Sequence, residues 1–313
     1  MKKFILTITL NPAVDKIMYL KKTSSLKDNL SESEEVVSAG GKGINVSRAL
    51  KKLGVPTLAT GFQGGETGAL IVKLLSKEKI PNQFVPIQGY SRVNVTLVEE
   101  RSGQSTRVLS PGPRIISGEI ARFKADYKKL LPNVSFVVLS GRNVQGTKSD
   151  LYRELIEIAA KKNVKCLLDT SGDSLRQAIS ARPFIIKPNR EEAQELLEYS
   201  LTTSDKLKKA CQEFHRLGAV IVLISLGKDG AIASEYGSVF LAKAPSVKTI
   251  NEVGCGDSFV AGFLSSYLKN KPLPLCLKMG VSCGTASTFN IVPADLKNSV
   301  VRKIFSKIKV KSL

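Results

Sequence analysis

The sequence is poor in the side chain that many enzymes use for proton transfer and metal binding. It has no tryptophan and one histidine, His215, among 313 residues. A Ser–His–Asp hydrolase and a histidine-based metal site both need imidazole groups beyond this one. His215 itself lies in a polar stretch, KKACQEFHRLG, which predicts a surface position on a helix. Both enzyme classes are therefore excluded.

Cysteine is also scarce, and its spacing excludes further classes. The five cysteines are an odd number and contain no CxxC pair. We therefore expect neither a zinc site nor a disulfide framework. We expect a reducing, cytoplasmic environment.

Long apolar runs are absent as well. No run reaches the roughly 18 residues that a membrane-spanning helix needs. The opening MKKFILTITLNPAVD resembles a secretory signal in its two lysines, but its apolar part covers only residues 4–10. Pro12 and Asp15 follow, without a small-x-small cleavage site, so this stretch predicts a buried first strand.

Acidic residues are few, 27 against 47 lysines and arginines, which leaves a net charge of +20. Such a surplus attracts anions such as nucleic acid, anionic lipid or phosphorylated metabolites, and composition does not choose among them. After Asp295 there are six basic residues and no acid. Apolar residues fall at helical spacing there, which predicts a packed helix with a solvated basic face. They are Val301, Ile304, Phe305 and Ile308.

Most of the chain alternates short apolar runs with helical periodicity. This pattern is typical of βαβ units and a mostly parallel sheet. Buried strands are predicted at 4–10, 136–139, 165–168, 184–186 and 220–225, and helices at 44–53, 151–162, 191–199 and 205–217.

Two segments break this rhythm. Residues 17–37 are polar and charged, and residues 93–110 alternate between apolar and polar side chains. Alternation predicts half-exposed antiparallel strands, which could pair as a small sheet over one end of the parallel core. We interpret this sheet as a lid. The predicted core comprises 1–10, 39–90 and 114–313, and the lid comprises 11–38 and 91–113.

The strongest candidate for chemistry is VGCGDSFVAGF, residues 253–263. Gly254, Cys255 and Gly256 precede an apolar helix, so unpaired backbone N–H groups at its start could hold an anion. Asp257 in the first turn could be an ordinary helix cap, or it could accept a proton from an attacking hydroxyl.

Three further turns could contribute to the same site. AGGKGINVSRAL, residues 39–50, is a glycine-rich turn before a helix, but it matches neither a dinucleotide fingerprint nor a P-loop. In IIKPNREE, Asn189 and Glu192 could hold Mg²⁺ through water or could simply cap a helix. SLGKDGA, residues 225–231, could receive a nucleotide or be only a β-turn.

Together these four segments resemble the ribokinase-like, pfkB-type carbohydrate kinases, and GGKGINVSR followed by VGCGDSFVAGF is highly specific. The resemblance implies a three-layer α/β/α sandwich with a β-sheet lid. It also implies transfer of the γ-phosphoryl of ATP, with Mg²⁺, to a ketohexose monophosphate. Fructose 1-phosphate is the first candidate, with tagatose 6-phosphate and fructose 6-phosphate as alternatives. Partners would be small molecules rather than nucleic acid or membrane, with a homodimer through the lid.

The same resemblance assigns roles to residues of this chain. Asp257 matches the catalytic base, and Gly254, Cys255 and Gly256 match the backbone anion hole. Substrate-binding positions match Asp15, Gly40, Gly41, Lys42, Asn45, Arg92 and Arg107, with Arg92 on the substrate's existing phosphate. ATP-binding positions match Lys187, Asn189, Ser225, Gly227, Gly230, Gly256 and Asn290, and the Mg²⁺ positions match Asn189 and Glu192.

Three positions depart from the family pattern. Arg142, in SGRNVQG, replaces a small residue and either contacts phosphate or points to solvent. Arg107 stands where an acid is common and resembles an arginine of the family's 6-phosphofructokinases. Cys255 lies at a helix N-terminus, which predicts a lowered thiol pKa and sensitivity to alkylation. The rival class is a non-catalytic sugar-phosphate- or nucleic-acid-binding protein on the same scaffold.

Overall fold

The computed structural model describes residues 3–20, 32–99 and 104–313. In chain order the strands are β1 (Phe4–Thr9), β2 (Ala13–Leu20), β3 (Glu32–Gly40), β4 (Thr57–Gly64), β5 (Asn82–Ile87), β6 (Arg92–Glu99), β7 (Ser105–Val108), β8 (Val134–Ser140), β9 (Cys166–Asp169), β10 (Ile185–Ile186), β11 (Ile221–Ser225), β12 (Ala231–Glu235), β13 (Ser238–Ala242) and β14 (Val310–Ser312). The helices are α1 (Lys42–Lys52), α2 (Gly65–Lys77), α3 (Ser117–Leu130), α4 (Leu151–Ala160), α5 (Gly172–Ala178), α6 (Arg190–Leu197), α7 (Ser204–Arg216), α8 (Cys255–Tyr267), α9 (Leu273–Ser287) and α10 (Asn298–Lys307).

Ten strands form one large sheet in the order β14-β13-β12-β11-β10-β9-β8-β1-β4-β5. Seven neighbouring strands of this sheet are parallel, namely β11, β10, β9, β8, β1, β4 and β5. β12, β13 and β14 extend the sheet as antiparallel strands. The carboxyl ends of the parallel strands therefore lie along one edge of the sheet.

The large sheet is covered by helices on both faces. Alternate residues of β1 point to opposite sides, so that Leu6 and Ile8 pack in one core cluster and Ile5 in the other. Side chains from α3 to α7 join the first cluster, and side chains from α1, α8, α9 and α10 join the second. This arrangement confirms the expected three-layer α/β/α sandwich. It also covers both faces of the sheet, as a parallel sheet requires.

The four remaining strands form a separate sheet in the order β3-β2-β6-β7. They come from the two segments that broke the βαβ rhythm in the sequence. The central pair, β2 and β6, is parallel rather than antiparallel as expected, with Asp15 opposite Asn94. The reason is that β2 follows β1 and β6 follows β5, two parallel strands of the core whose carboxyl ends lie on the same edge of the large sheet. Ala39 and Gly40 belong to β3 of this small sheet.

Two expectations about surface residues have different outcomes. In α10, Val301 and Ile304 are buried while Arg302 and Lys303 are exposed, which confirms the packed helix with a basic face. His215 is not a simple surface residue. Its ring nitrogens contact the Ala219 carbonyl at 2.8 Å and the Ser234 hydroxyl at 2.9 Å, so it joins α7 to β12.

Throughout the described ranges, every helix is too short or too polar to meet the requirement for crossing a membrane. All five cysteines are free.

Candidate active site

The site lies where the carboxyl ends of the parallel strands meet the N-terminal ends of α1 and α8. In parallel α/β sheets this edge is where ligands bind. Asp257, in the first turn of α8, is 5% exposed. The side-chain amide of Asn45, in the first turn of α1, donates a hydrogen bond of 2.8 Å to the Asp257 carboxylate. Residues from the GGKGINVSR and VGCGDSF motifs are thus in direct contact.

The start of α8 is where the sequence predicts an anion hole. Gly254 has a φ of 80°, which a residue with a side chain adopts only with strain, and this turn leads directly into the helix. The amides of Gly256 and Asp257 precede the first intrahelical hydrogen bonds, as in every helix N-terminus. A Cβ built on Gly256 would lie 3.6 Å from the ammonium of Lys187. Backbone donors and a lysine therefore share this end of α8.

A second buried carboxylate, Asp169, holds two lysines beside this helix. It ends β9 and is 1% exposed. Its Oδ1 atom lies 3.2 Å from the ammonium groups of both Lys42 and Lys187. Its Oδ2 atom is buried and has no hydrogen-bond partner among the described residues. Asp169 was not singled out in the sequence, although a carboxylate directly after an apolar strand was a usable signal.

The environment of Asp257 perturbs its titration. Burial raises its pKa to about 6, the charge of Asp169 adds to this, and Lys42 and Asn45 oppose it. Burial would also raise the pKa of Asp169, but Lys187 and Lys42 outweigh it and lower that pKa. Asp257 is thus the carboxyl group whose proton affinity suits a general base near neutral pH.

The predicted sugar side lies between the small sheet and the core. Asp15, Asn94 and Arg107 line a cleft of about 370 Å³, with Asn251 and Pro293 on the opposite wall. The Asn94 amide donates to Asp15 at 2.8 Å, and burial raises the pKa of Asp15. Asn94 is a site candidate that the sequence analysis missed, because only the register of β2 and β6 places it beside Asp15.

Gly40 allows Asp15 to take its position. A Cβ built on Gly40 would lie 1.9 Å from Oδ2 of Asp15. The next residue, Gly41, has a φ of 118° and immediately precedes α1, which places Lys42 in the first turn beside Asp169. The glycine-rich turn therefore connects the predicted sugar site to Lys42, whose side chain is 40% exposed.

Arg92 lies at the junction of the small sheet and the core. Its guanidinium donates to the carbonyl of Asn11 at 3.2 Å and to that of Ser110 at 3.3 Å. It lines a second cleft, of about 560 Å³, together with Arg114. Burial lowers its pKa, while the charge of Asp15 raises it. The side chain of Arg142 is exposed, which agrees with the solvent-facing alternative for this residue.

The predicted nucleotide positions occupy the ends of β10 and β11. Asn189 and Ser225 form a parallel bridge, and the Ser225 amide donates to the Pro188 carbonyl at 3.1 Å. Gly227 and Gly230 bound a short 3₁₀ turn after β11. The structure therefore brings Lys187, Asn189 and Ser225 together. Asn290 lies after α9 in a separate segment, where its amide donates to the Ala286 carbonyl at 3.4 Å.

The predicted metal residues form a helix cap. The Asn189 side chain accepts from the Glu192 amide at 2.7 Å, and the Glu192 carboxylate accepts from the Asn189 amide at 2.8 Å. This is the capping alternative left open by the sequence. One oxygen of Glu192 lies outside the cap. The pKa of Lys42 is raised chiefly by the charge of Asp169, and Asp257 and Glu192 add to this effect. The described residues contain no group of three or more His, Cys, Asp or Glu arranged to hold a metal ion.

The expectation of a lowered thiol pKa for Cys255 is wrong. Burial raises the pKa of its thiol to about 12, and the carboxylates of Glu252 and Asp257 raise it further. The positive end of the helix does not compensate for two nearby negative charges and lost solvation.

Comparison with known proteins agrees with this geometry. Residues 8–291 match the profile of the pfkB family carbohydrate kinases. The chain is 35% identical to 1-phosphofructokinase of Bacillus subtilis over 286 residues, which cover 91% of this chain and 93% of that protein. Phosphofructokinase-2 of Escherichia coli, solved in complex with potassium, has a TM-score of 0.90 at 29% identity and covers 98% and 99% of the two chains. Its structure with fructose-6-phosphate has a TM-score of 0.87 at 28% identity, with the same coverage.

A family profile that spans nearly the whole chain agrees with a relative of similar length and with the three-layer sandwich. The chain therefore belongs to the pfkB family of carbohydrate kinases, and it is an enzyme that transfers a phosphoryl group to an alcohol.

Proposed function

We propose that this enzyme transfers the γ-phosphoryl group of ATP to a hydroxyl of a ketohexose monophosphate, and that fructose 1-phosphate is the preferred acceptor. The observation that carries the proposal is Asp257: a buried carboxylate with a pKa of about 6 at the start of a helix. The 35% identity to the 1-phosphofructokinase of Bacillus subtilis supports the choice of substrate.

Asp257 is the proposed general base. It accepts the proton of the attacking hydroxyl as the new bond to phosphorus forms. Asn45 holds the carboxylate through its amide. The sugar would lie between Asp257 and Asp15, and the Asp15 carboxylate, which Asn94 positions through a hydrogen bond to Oδ1, would accept hydrogen bonds from sugar hydroxyls.

Charge neutralisation is the second requirement of phosphoryl transfer, because negative charge spreads over the transferred group. Lys42 and Lys187 lie next to the start of α8, where Gly254, Cys255 and Gly256 form the turn and the helix dipole is positive. These groups would hold the transferred phosphoryl group while Asp257 takes the proton. A fixed set of donors does this without reorganising during the reaction.

The nucleotide would bind along Lys187, Asn189 and Ser225 and the turn from Gly227 to Gly230, with Asn290 on the adenosine side. Mg²⁺ fits this site only through an intermediary water, because the side chain of Asn189 is used in the helix cap and Glu192 has one remaining oxygen. When bound with ATP, Mg²⁺ neutralises phosphate charge. Glu192 would orient its hydration shell.

The phosphate already on the sugar is assigned to Arg92. A guanidinium can bind a phosphate monoester with two parallel hydrogen bonds. Two of its donors are used by the carbonyls of Asn11 and Ser110, which fix the position of the side chain. Arg107, in the neighbouring cleft, is an additional basic contact for this substrate.

Two other acceptors are alternatives. Fructose 6-phosphate is supported by Arg107 and by the similarity to Escherichia coli phosphofructokinase-2, whose structure contains that sugar. Tagatose 6-phosphate is the other. A non-catalytic sugar-phosphate- or nucleic-acid-binding protein is the rival class, and the buried pair of Asp257 and Asn45 argues against it.

The proposed partners are small molecules, with neither nucleic acid nor membrane, in the cytoplasm. We also propose a homodimer through the small sheet. Its outer strands, β3 and β7, have one unpaired side each among the described residues, and Val108 in β7 is 61% exposed. An exposed edge of this kind favours pairing with a second chain.

A coupled assay of ADP release tests the function. Fructose 1-phosphate, fructose 6-phosphate, tagatose 6-phosphate and unphosphorylated fructose are compared side by side, with and without Mg²⁺. The highest kcat/KM is expected for fructose 1-phosphate. A preference for unphosphorylated sugar would overturn the role of Arg92, and no turnover of any sugar would favour the non-catalytic class.

A further inference from the structure

Arg48 is a buried charge one helical turn beyond Asn45 in α1. Its side chain is 2% exposed. Two of its hydrogen bonds go to the carboxylate of Glu78, one from Nε at 2.5 Å and one from Nη2 at 2.8 Å. The others go to the carbonyls of Ala39, at 2.6 Å, and Pro293, at 3.1 Å, and to the side chain of Asn45. These five bonds match the five N–H donors of a guanidinium.

The bond to Asn45 determines which way its amide faces. Nη1 of Arg48 donates to Oδ1 of Asn45 at 2.9 Å, and Nδ2 of Asn45 donates to Oδ2 of Asp257 at 2.8 Å. A guanidinium has no acceptor, and an ionised carboxylate has no donor. If the amide were reversed, two donors would face each other at Arg48 and two acceptors at Asp257. Only one orientation satisfies both neighbours.

Glu78 stabilises the buried positive charge of Arg48. An unpaired guanidinium would be strongly destabilised by loss of water. The carboxylate of Glu78, which is 29% exposed, pairs with Arg48 through both oxygens. The result is a chain of contacts from Glu78 through Arg48 and Asn45 to Asp257, which starts at the C-terminal end of α2 and ends in the site.

We propose that Arg48 is a positioning residue of this enzyme, which orients the Asn45 amide so that its donor holds the Asp257 carboxylate in place. The inference rests on the proposed role of Asp257 as the general base. Arg48 itself contacts neither substrate nor reacting atoms. Because it also binds the carbonyl of Ala39, at the end of β3, and that of Pro293, on the cleft wall, it holds the surroundings of Asp257 as well.

The test uses Arg48→Lys, which keeps the charge but cannot donate to all these acceptors at once. We expect kcat to fall by about 10- to 100-fold, the usual result of a misplaced catalytic group, with little change in the KM for ATP. The acid limb of the kcat profile is expected to move to higher pH, because Asp257 loses an oriented donor. The charged groups that face Asp257 are Asp169, Lys42 and Lys187, and all three remain in this variant.

Glu78→Gln is the matched control. It weakens the ion pair but leaves Arg48 in place to bind Asn45. We expect it to lower the temperature of unfolding without moving the acid limb. If Arg48→Lys and Glu78→Gln change the limb equally, or if a folded Arg48→Lys retains the limb and kcat of the wild type, the positioning role is overturned.

A measurement without turnover separates this inference from the proposed function. The titration of Asp257 is followed by carboxyl NMR in the substrate-free protein, with Asp257→Asn to assign the signal. A higher pKa of Asp257 in Arg48→Lys supports the positioning role even if no sugar phosphate is phosphorylated. Should Arg48→Lys not fold, the wild type decides. Its Asn45 side-chain NH₂ signals are expected to shift with a midpoint near the pKa of Asp257, and a constant signal overturns the inference.

Discussion

Asp169 and Asp257 are two buried carboxylates of one site whose pKa values are shifted in opposite directions. The negative charge of Asp169 adds to the effect of burial and raises the pKa of Asp257 to about 6. Asp169 has its own pKa lowered, because Lys187 and Lys42 outweigh the effect of burial. Two carboxyl groups with separated proton affinities can divide the work, one fixing lysines and the other moving a proton.

The first prediction concerns the pH dependence of catalysis. A base must be deprotonated, so kcat/KM, which reports the ionisation of the free enzyme, is expected to fall as the pH decreases through about 6, by tenfold for each further pH unit. Initial rates between pH 5 and 8 at substrate concentrations below KM measure this. A flat profile over that range would contradict the role of Asp257.

The second prediction is the effect of removing the carboxylate of Asp257, the proposed base. Asp257→Asn is expected to lower kcat by about 10²- to 10⁴-fold, because the amide cannot accept the hydroxyl proton. ATP binding, measured by calorimetry, is expected to persist. Asp295→Asn is the control, since Asp295 pairs with Lys52 away from this carboxylate. Turnover of Asp257→Asn close to that of the control would show that another group acts as base.

The third prediction concerns stability. The pKa of Asp257 is about 6 in the folded protein and near 3.8 when unperturbed, so the folded state binds the proton more tightly. Stability is therefore lost as the pH rises from about 4 to 6 and the buried group ionises. Asp257→Asn is expected to raise the free energy of unfolding by about 1–3 kcal/mol at pH 7.5. Urea unfolding at pH 7.5 and 4.5 checks this, and an equal effect at both values would contradict it.

The fourth prediction concerns thiol chemistry. Burial and nearby carboxylates raise the pKa of Cys255 to about 12. Only the thiolate reacts with iodoacetamide, so the folded enzyme at pH 8 is expected to keep its activity over a period that fully alkylates the urea-unfolded chain. Rapid inactivation that disappears in Cys255→Ala would show that the thiol is ionised after all.

The fifth prediction concerns the glycine beneath Asp15. In Gly40→Ala the new Cβ overlaps the Asp15 carboxylate, which must move away. We expect the KM for the sugar phosphate to rise by at least about tenfold, with the KM for ATP nearly unchanged. Gly118→Ala is the control, because a Cβ there meets no atom within 4 Å. Equal KM values for sugar phosphate in the two variants would contradict the assigned position of the sugar.

Much of the fold was accessible from local patterns. The apolar runs at 136–139 and 220–225 predicted β8 and β11, since buried parallel strands are short and continuously apolar. The helix predicted at 205–217 is α7, displaced by one residue. The parallel pairing of β2 with β6 was not predicted, because alternation reports which residues are exposed but not the direction of the neighbouring strand.

The candidate site was only partly predictable for a related reason. Asp257 and Asn45 were identified by their glycine-rich turns and by resemblance. Asp169 and Arg48 were not, although Asp169 directly follows an apolar strand and Arg48 ends the GGKGINVSR motif. Their significance depends on what surrounds them: two lysines around Asp169, and an amide, a carboxylate and two carbonyls around Arg48.

The near absence of histidine and the scarcity of acids were determined by the sequence alone, and they left few groups for proton transfer. The motifs GGKGINVSR and VGCGDSFVAGF, in this order, also indicated the family through their resemblance to its pattern. Only the tertiary structure gives Asp257 the perturbed pKa that suits its proposed role as a base. A pKa depends on burial and on charges brought close by folding, so Asp257 acquires its value of about 6 from neighbours that are distant in the sequence.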